Sequence, residues 1–138
     1  MPAKDIFHDT VREALEKDGW KITDDPLYIT VGEVDFYIDL GAEQLIGAEK
    51  GEKKIAVEIK SFVGPSPVNS FHEAIGKFIN YRAALEEEQI TRSLFLAVPK
   101  IVYDDFFQRP FIQKMLKLEK LKLLIYEPRT KKIASWIK

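Results

Sequence analysis

The run Leu94-Phe95-Leu96-Ala97-Val98 contains no polar residue and ends at Pro99. A strand with one wet face alternates polar with apolar residues. This one does not, so it reads as a central strand buried on both faces of its sheet. The chain must then supply helices for both sides. At 138 residues it is long enough for one domain, residues 1–138, that removes about two-thirds of its unfolded surface from water.

Helical spacing of Phe7, Val11, Ala14 and Leu15 predicts a first helix over residues 5–18, with Gly19 as its stop. After the turn signal Asp24-Asp25-Pro26, residues 28–31 and 34–40 read as two strands around Gly32-Glu33. Residues 45–50 and 53–62 flank Gly51-Glu52 as a second hairpin, closed off by Gly64-Pro65-Ser66-Pro67. The stripe Phe71, Ala74, Ile75, Phe78, Tyr81, Arg82 and Leu85 predicts a long helix over 68–88. Residues 102–119 read as a helix restarted at Pro110, and 121–126 and 133–137 as two strands around Pro128-Arg129-Thr130. The expected class is α/β, a sheet flanked by helices.

Composition excludes several function classes. Hydrophobic residues at 46% and charged residues at 31% are those of a folded chain and not a disordered one. No apolar run reaches the roughly 18 residues of a membrane span, and the start lacks the apolar stretch of a signal peptide, so a cytoplasmic protein with no membrane partner is expected. With no cysteine there is no disulfide, thiolate metal site or cysteine nucleophile. Residues 109–138 carry nine Lys and Arg against two Glu, and residues 1–108 twelve bases against twenty acids. A basic end can meet phosphate, but a solvated amphipathic helix and turn is the favoured reading. There is no Gly-x-Ser-x-Gly, P-loop or dinucleotide signature, and the serines lack a triad context. Phe106-Phe107 and Trp136 suit a core or a homo-oligomer contact better than stacking on bases.

The chemistry concentrates in Ile55-Ala56-Val57-Glu58-Ile59-Lys60-Ser61. The two-residue period of a strand sends Ile55, Val57 and Ile59 to one face and Ala56, Glu58 and Lys60 to the other. An exposed strand face shows the same alternation, so the pair needs context. Asp39, after Phe36-Tyr37-Ile38, supplies it, because strand pairing can bring it across from Glu58. Two carboxylates with the Ile59 carbonyl and waters form an oxygen donor set suited to Mg²⁺ or Mn²⁺. Lys60 can orient an attacking water or offset phosphate charge. That is the outline of a phosphodiester hydrolase.

Asp39 followed by Glu58-x-Lys60, behind an initial helix, resembles the restriction-endonuclease-like PD-(D/E)xK superfamily, which implies a central mixed sheet flanked by helices. Over nearly the whole chain, Asp5-x-x-His8, Asp18-Gly19-Trp20, Ile38-Asp39-Leu40-Gly41-Ala42-Glu43, the Ile55 to Phe62 segment and Trp136-Ile137 resemble the XisH family. XisH proteins are named as cyanobacterial factors controlling excision of the fdxN element, and are associated with a companion protein, XisI. The resemblance implies DNA and XisI as partners.

In the long helix the family usually shows Ala-Leu-Gly-Gln where this chain has Ala74-Ile75-Gly76-Lys77. By the resemblance a polar residue here supports the active site. Lys77 can contact phosphate, but a cation cannot accept hydrogen bonds as Gln does. Related nucleases often place a supporting acid on the first helix, where Glu13 lies; the alternative is an exposed acid beside the Val11 and Leu15 stripe. His8, with no second histidine near it in sequence, reads as a hydrogen-bonded structural residue and not a zinc ligand. Two functions follow: a metal-dependent nuclease in excision of a DNA element, or a non-catalytic accessory that keeps the fold to bind DNA or XisI.

Overall fold

A computed structural model describes residues 4–47 and 51–138, without the side chains of residues 45–47, 51 and 52. The first helix, α1 (His8–Lys17), buries His8, Val11, Ala14 and Leu15. It ends as the glycine predicts. Gly19 takes φ +87°, and the N–H groups of Gly19 and Trp20 donate to the carbonyls of Glu16 and Leu15 at 3.1 and 3.0 Å.

Five strands follow: β1 (Lys21–Asp24), β2 (Leu27–Val31), β3 (Val34–Ile38), β4 (Leu40–Gly47) and β5 (Gly51–Ile59). Two differences from the sequence reading matter. First, the apolar run 34–40 is not one strand. It breaks at Asp39, so that β3 pairs with β2 in a separate hairpin while β4 joins the main sheet between β1 and β5. Second, β5 begins at Gly51, which pairs with Gly47, so Gly51-Glu52 is strand and not turn. The rest of that expected connection lies outside the described residues.

The long helix α2 (Pro67–Glu87) starts as its sequence dictates, with Pro67 in the first turn and the Ser66 hydroxyl accepting from the Asn69 N–H at 3.2 Å. The strand β6 (Ser93–Pro99) follows, then α3 (Lys100–Asp104), a single 3₁₀ turn at Phe106–Gln108, α4 (Pro110–Leu118), β7 (Leu123–Glu127) and β8 (Lys132–Ile137). The expected helix over 102–119 is thus two short helices. Pro110 starts the second, where its missing N–H costs nothing.

The six-stranded sheet has the order β1-β4-β5-β6-β7-β8. It is mixed: β6 runs parallel to β5 and β7, and the remaining pairings are antiparallel. Its central, wholly apolar strand β6 is buried on both faces from Leu94 through Val98. One face packs Ala56, Leu94, Leu96 and Val98 with Phe71 and Phe78 of α2, Ile112 and Leu116 of α4 and Leu27 and Ile29 of the hairpin. The other packs Ile55, Val57, Ile59, Phe95 and Ala97 with Val11 and Leu15 of α1, and with Trp20. Phe106 and Phe107 are core residues, packed edgewise or tilted against Phe62 and Phe71 with ring centroids 5.4–6.1 Å apart. Trp136 packs on Phe95 and Trp20 at 4.9 and 5.7 Å. No helix among the described residues is long and apolar enough to cross a membrane.

Candidate active site

The break at Asp39 builds the site. The ladder between β4 and β5 begins at Leu40 opposite Val57, so one step further Asp39 faces Glu58. The two acids interlock through backbone. The Ile59 N–H donates to Asp39 Oδ2 at 2.7 Å, and the Asp39 N–H donates to Glu58 Oε1 at 3.4 Å. Each carboxylate is therefore held by the element that carries the other.

Glu58 is buried, 5% exposed. Burial, and then the negative charge of Asp39, push its pKa up from 4.5 to about 9. Burial also raises Asp39, against the hydrogen bond from Ile59. The shared cause is burial; the Asp39 charge adds to it at Glu58, whereas the hydrogen bond with Glu58 works against it at Asp39.

The cations that answer them are partly engaged elsewhere. Lys60 Nζ lies 3.2 Å from Glu73 Oε2, and Lys77 Nζ lies 3.5 Å from Glu73 Oε1 and 3.8 Å from Glu58 Oε2. These lysines hold the Glu73 carboxyl below its ordinary range, Lys60 most strongly. The groups line an open notch of about 200 Å³ with Asp5, Tyr37 and Ile59. Past Lys60, Phe62 takes the left-handed value φ 58° and packs its ring against Phe106 and Phe107.

Of the residues singled out from sequence, Asp39, Glu58, Ile59, Lys60 and Lys77 come together here. Glu13 does not, which corrects its expected placement. The inward stripe of α1 turns it to the surface, where its carboxylate lies 3.5 Å from Lys17 and 4.0 Å from Lys131. The acid that α1 does bring close is Asp5, just ahead of it, whose oxygens accept from the Phe7 and Ser61 N–H groups at 2.9 and 3.0 Å. His8 is buried and bonded through Nε2 to Asp25 Oδ1 at 2.7 Å, a structural role. Glu73 and Tyr37 escaped the sequence reading. Glu73 falls one turn before Lys77 on α2, a spacing that would have paired them.

Among the described residues no three His, Cys, Asp or Glu side chains gather into a cage for a metal ion. Mg²⁺ is commonly held by one or two carboxylates with waters and substrate phosphate. Asp39 and Glu58 are the two carboxylates that could hold such an ion.

The family model for XisH protein matches residues 1–134. The chain belongs to the XisH family. The crystal structure of an XisH family protein from Nostoc punctiforme is similar at 47% identity, covering 97% of this chain and 100% of that one, with a TM-score of 0.88. That of a fdxN element excision controlling factor protein from Anabaena variabilis is 44% identical, covering 98% and 100%, with the same TM-score of 0.88. No curated protein matches this chain. The mixed sheet and its flanking helices are thus those of the XisH family.

Proposed function

We propose that this chain is a metal-dependent phosphodiester hydrolase acting on DNA during excision of a DNA element. The observation that carries the reading is the interlocked Asp39–Glu58 pair, with Lys60, the first residue past the end of β5, lining the same notch. Asp39, Glu58 and the Ile59 carbonyl would hold Mg²⁺ or Mn²⁺, which supplies a Lewis acid for the phosphoryl oxygen. Lys60, released from Glu73 when a phosphate competes for it, orients the attacking water and offsets the charge that develops on phosphate. Lys77 contacts the phosphate. The role in excision is supported by the relative from Anabaena variabilis, which is named for control of fdxN element excision.

The test is a panel of linear, nicked and branched DNA incubated with purified protein and Mg²⁺ or Mn²⁺. At least one substrate is cut, and Glu58→Ala abolishes cutting. Lys60→Met lowers the rate by about 10²- to 10⁴-fold, the usual worth of a positioned proton-transfer or water-orienting group. A panel left intact by the wild type overturns the hydrolase reading.

A second reading has its own observation. Both lysines nearest the acids are ion-paired with Glu73. This favours a non-catalytic accessory that uses the fold to bind DNA or XisI. In an excision assay, that reading predicts that Glu58→Gln and Lys60→Met behave as wild type, whereas loss of excision by folded variants contradicts it.

A further inference from the structure

The β2–β3 hairpin meets the main sheet at Asp39, and its two faces differ. Leu27, Ile29 and Ile38 are buried in the core, with Val31 and Phe36 packed against it. The alternate residues Tyr28, Thr30, Asp35 and Tyr37 fall on the opposite face. Tyr28 and Tyr37 are register partners whose ring centroids lie 5.2 Å apart at 38°. Tyr28 is 51% exposed, and its hydroxyl donates to Asp35 Oδ1 at 2.8 Å, which fixes the ring. Tyr37 lines the notch beside Asp39, Glu58 and Lys60.

The aromatic face therefore runs straight into the acidic notch. Cross-strand contact between the two rings stabilises the hairpin, but it does not require the inner ring to line the notch or the outer one to remain half in water. Electrostatics narrows what a phosphate-bearing ligand can use here. A duplex held by its backbone needs a row of cations, whereas the notch offers Lys60 and Lys77, both paired to Glu73, among Asp5, Asp39 and Glu58. Stacking on an aromatic ring needs no charge and tolerates any base.

We propose that the Tyr28–Tyr37 pair is a stacking platform for an unpaired nucleobase next to the phosphate in the notch, so that the substrate is single-stranded DNA or an unpaired segment of a duplex. This rests on the reading of the notch as a DNA phosphodiester site. The base leaves its own stack and lies on rings that are already ordered, and its phosphate is thereby brought to Asp39 and Glu58.

The experiment uses the full chain, with Ca²⁺ replacing Mg²⁺ so that DNA is held without being cut. Fluorescence anisotropy gives Kd for a short single strand and for the matching blunt duplex, and 2-aminopurine in the single strand reports stacking directly. The single strand binds more tightly, 2-aminopurine is quenched on binding, and Tyr37→Ala or Tyr28→Ala weakens single-strand binding by about 5- to 150-fold, as expected for one stacked base. Tyr37→Phe retains binding, since the ring and not the hydroxyl is used. Equal affinity for the duplex, or unquenched 2-aminopurine on the wild type, overturns the platform without depending on how any variant folds. The two readings fail separately. Single-strand preference lost in Tyr37→Ala, with no DNA cut in Mg²⁺, sinks the hydrolase and supports the platform. Cutting in Mg²⁺ that is indifferent to strandedness and to Tyr37→Ala sinks the platform and leaves the hydrolase.

Discussion

Two sites that bury charge lie at opposite ends of the parallel pair β5–β6. At the start of β6, Arg92 has a side chain only 10% exposed. Its Nη1 donates to the Ile55 and Ala42 carbonyls at 3.0 and 3.4 Å, and its Nη2 to Asp24 Oδ2 and Thr23 Oγ1 at 3.2 and 3.3 Å. Glu43 lies 3.9 Å from the same guanidinium. At the far end of β5, Asp39 and Glu58 face each other, and one half-exposed lysine answers Glu58 from 3.8 Å. The first site satisfies its charge within the fold and joins β1, β4, β5 and β6. The second is held in place by backbone but remains short of positive charge, as expected where a ligand completes the arrangement. Both ends bury charge, and the difference lies in whether the counter-charge is built in.

Removing the built-in cation should have the largest effect. Arg92→Met strips the guanidinium from two buried carbonyls and from Asp24, and should lower stability by about 3 kcal/mol in urea denaturation. An unchanged midpoint would put the two ends on the same footing.

The opposite sign is expected at the notch. Glu58 has a pKa raised from 4.5 to about 9, so the folded state binds more protons than the unfolded one between those values. The stability it contributes is fully present below about pH 4.5 and is lost as pH rises through about 9. Glu58→Gln mimics the protonated acid, so it should stabilise the metal-free protein by about 2 kcal/mol at pH 7 and flatten this pH dependence. Destabilisation by Glu58→Gln would mean that the fold already satisfies this charge.

A smaller loss is expected at Gly41. A Cβ there would meet Asp24 Oδ2 at 2.9 Å and Arg92 Nη1 at 3.2 Å, so Gly41→Ala should cost about 1 kcal/mol by displacing the Arg92–Asp24 contact. The smallest effect belongs to Glu13. Glu13→Gln breaks only exposed pairs, and should move stability by less than about 0.5 kcal/mol and leave DNA cleavage unaltered. Loss of cleavage there would return Glu13 to the site.

How much of this was legible follows the range of the interactions involved. The central strand, the long helix and the two faces of β5 rest on local periodicity, and the sequence pattern shows them directly. Glu58 and Lys60 are two residues apart at the end of β5, and Asp39 was within reach as the acid ahead of the preceding glycine-punctuated segment. The break at Asp39 was not legible, because an apolar run does not reveal that its halves pair with different sheets. β1 was missed for a related reason: four residues of alternating exposure, Lys21–Asp24, owe their strand to pairing with β4. Arg92 and Glu73 depend on how distant segments dock, twelve residues separating Glu73 from Lys60. Glu13 was singled out only by the resemblance to related nucleases, whereas the Val11 and Leu15 stripe of α1 already pointed to an acid at the surface.

Titration calorimetry with Mn²⁺ at pH 7, in two buffers of different ionisation enthalpy, tests most directly whether the acids of the notch await a cation. One ion per chain should bind with net release of protons, since Glu58 must give up its own to become a ligand. Glu58→Gln should remove both the proton release and most of the affinity. Absence of Mn²⁺ binding by the wild type, or equal binding by the folded Glu58→Gln variant, would contradict it.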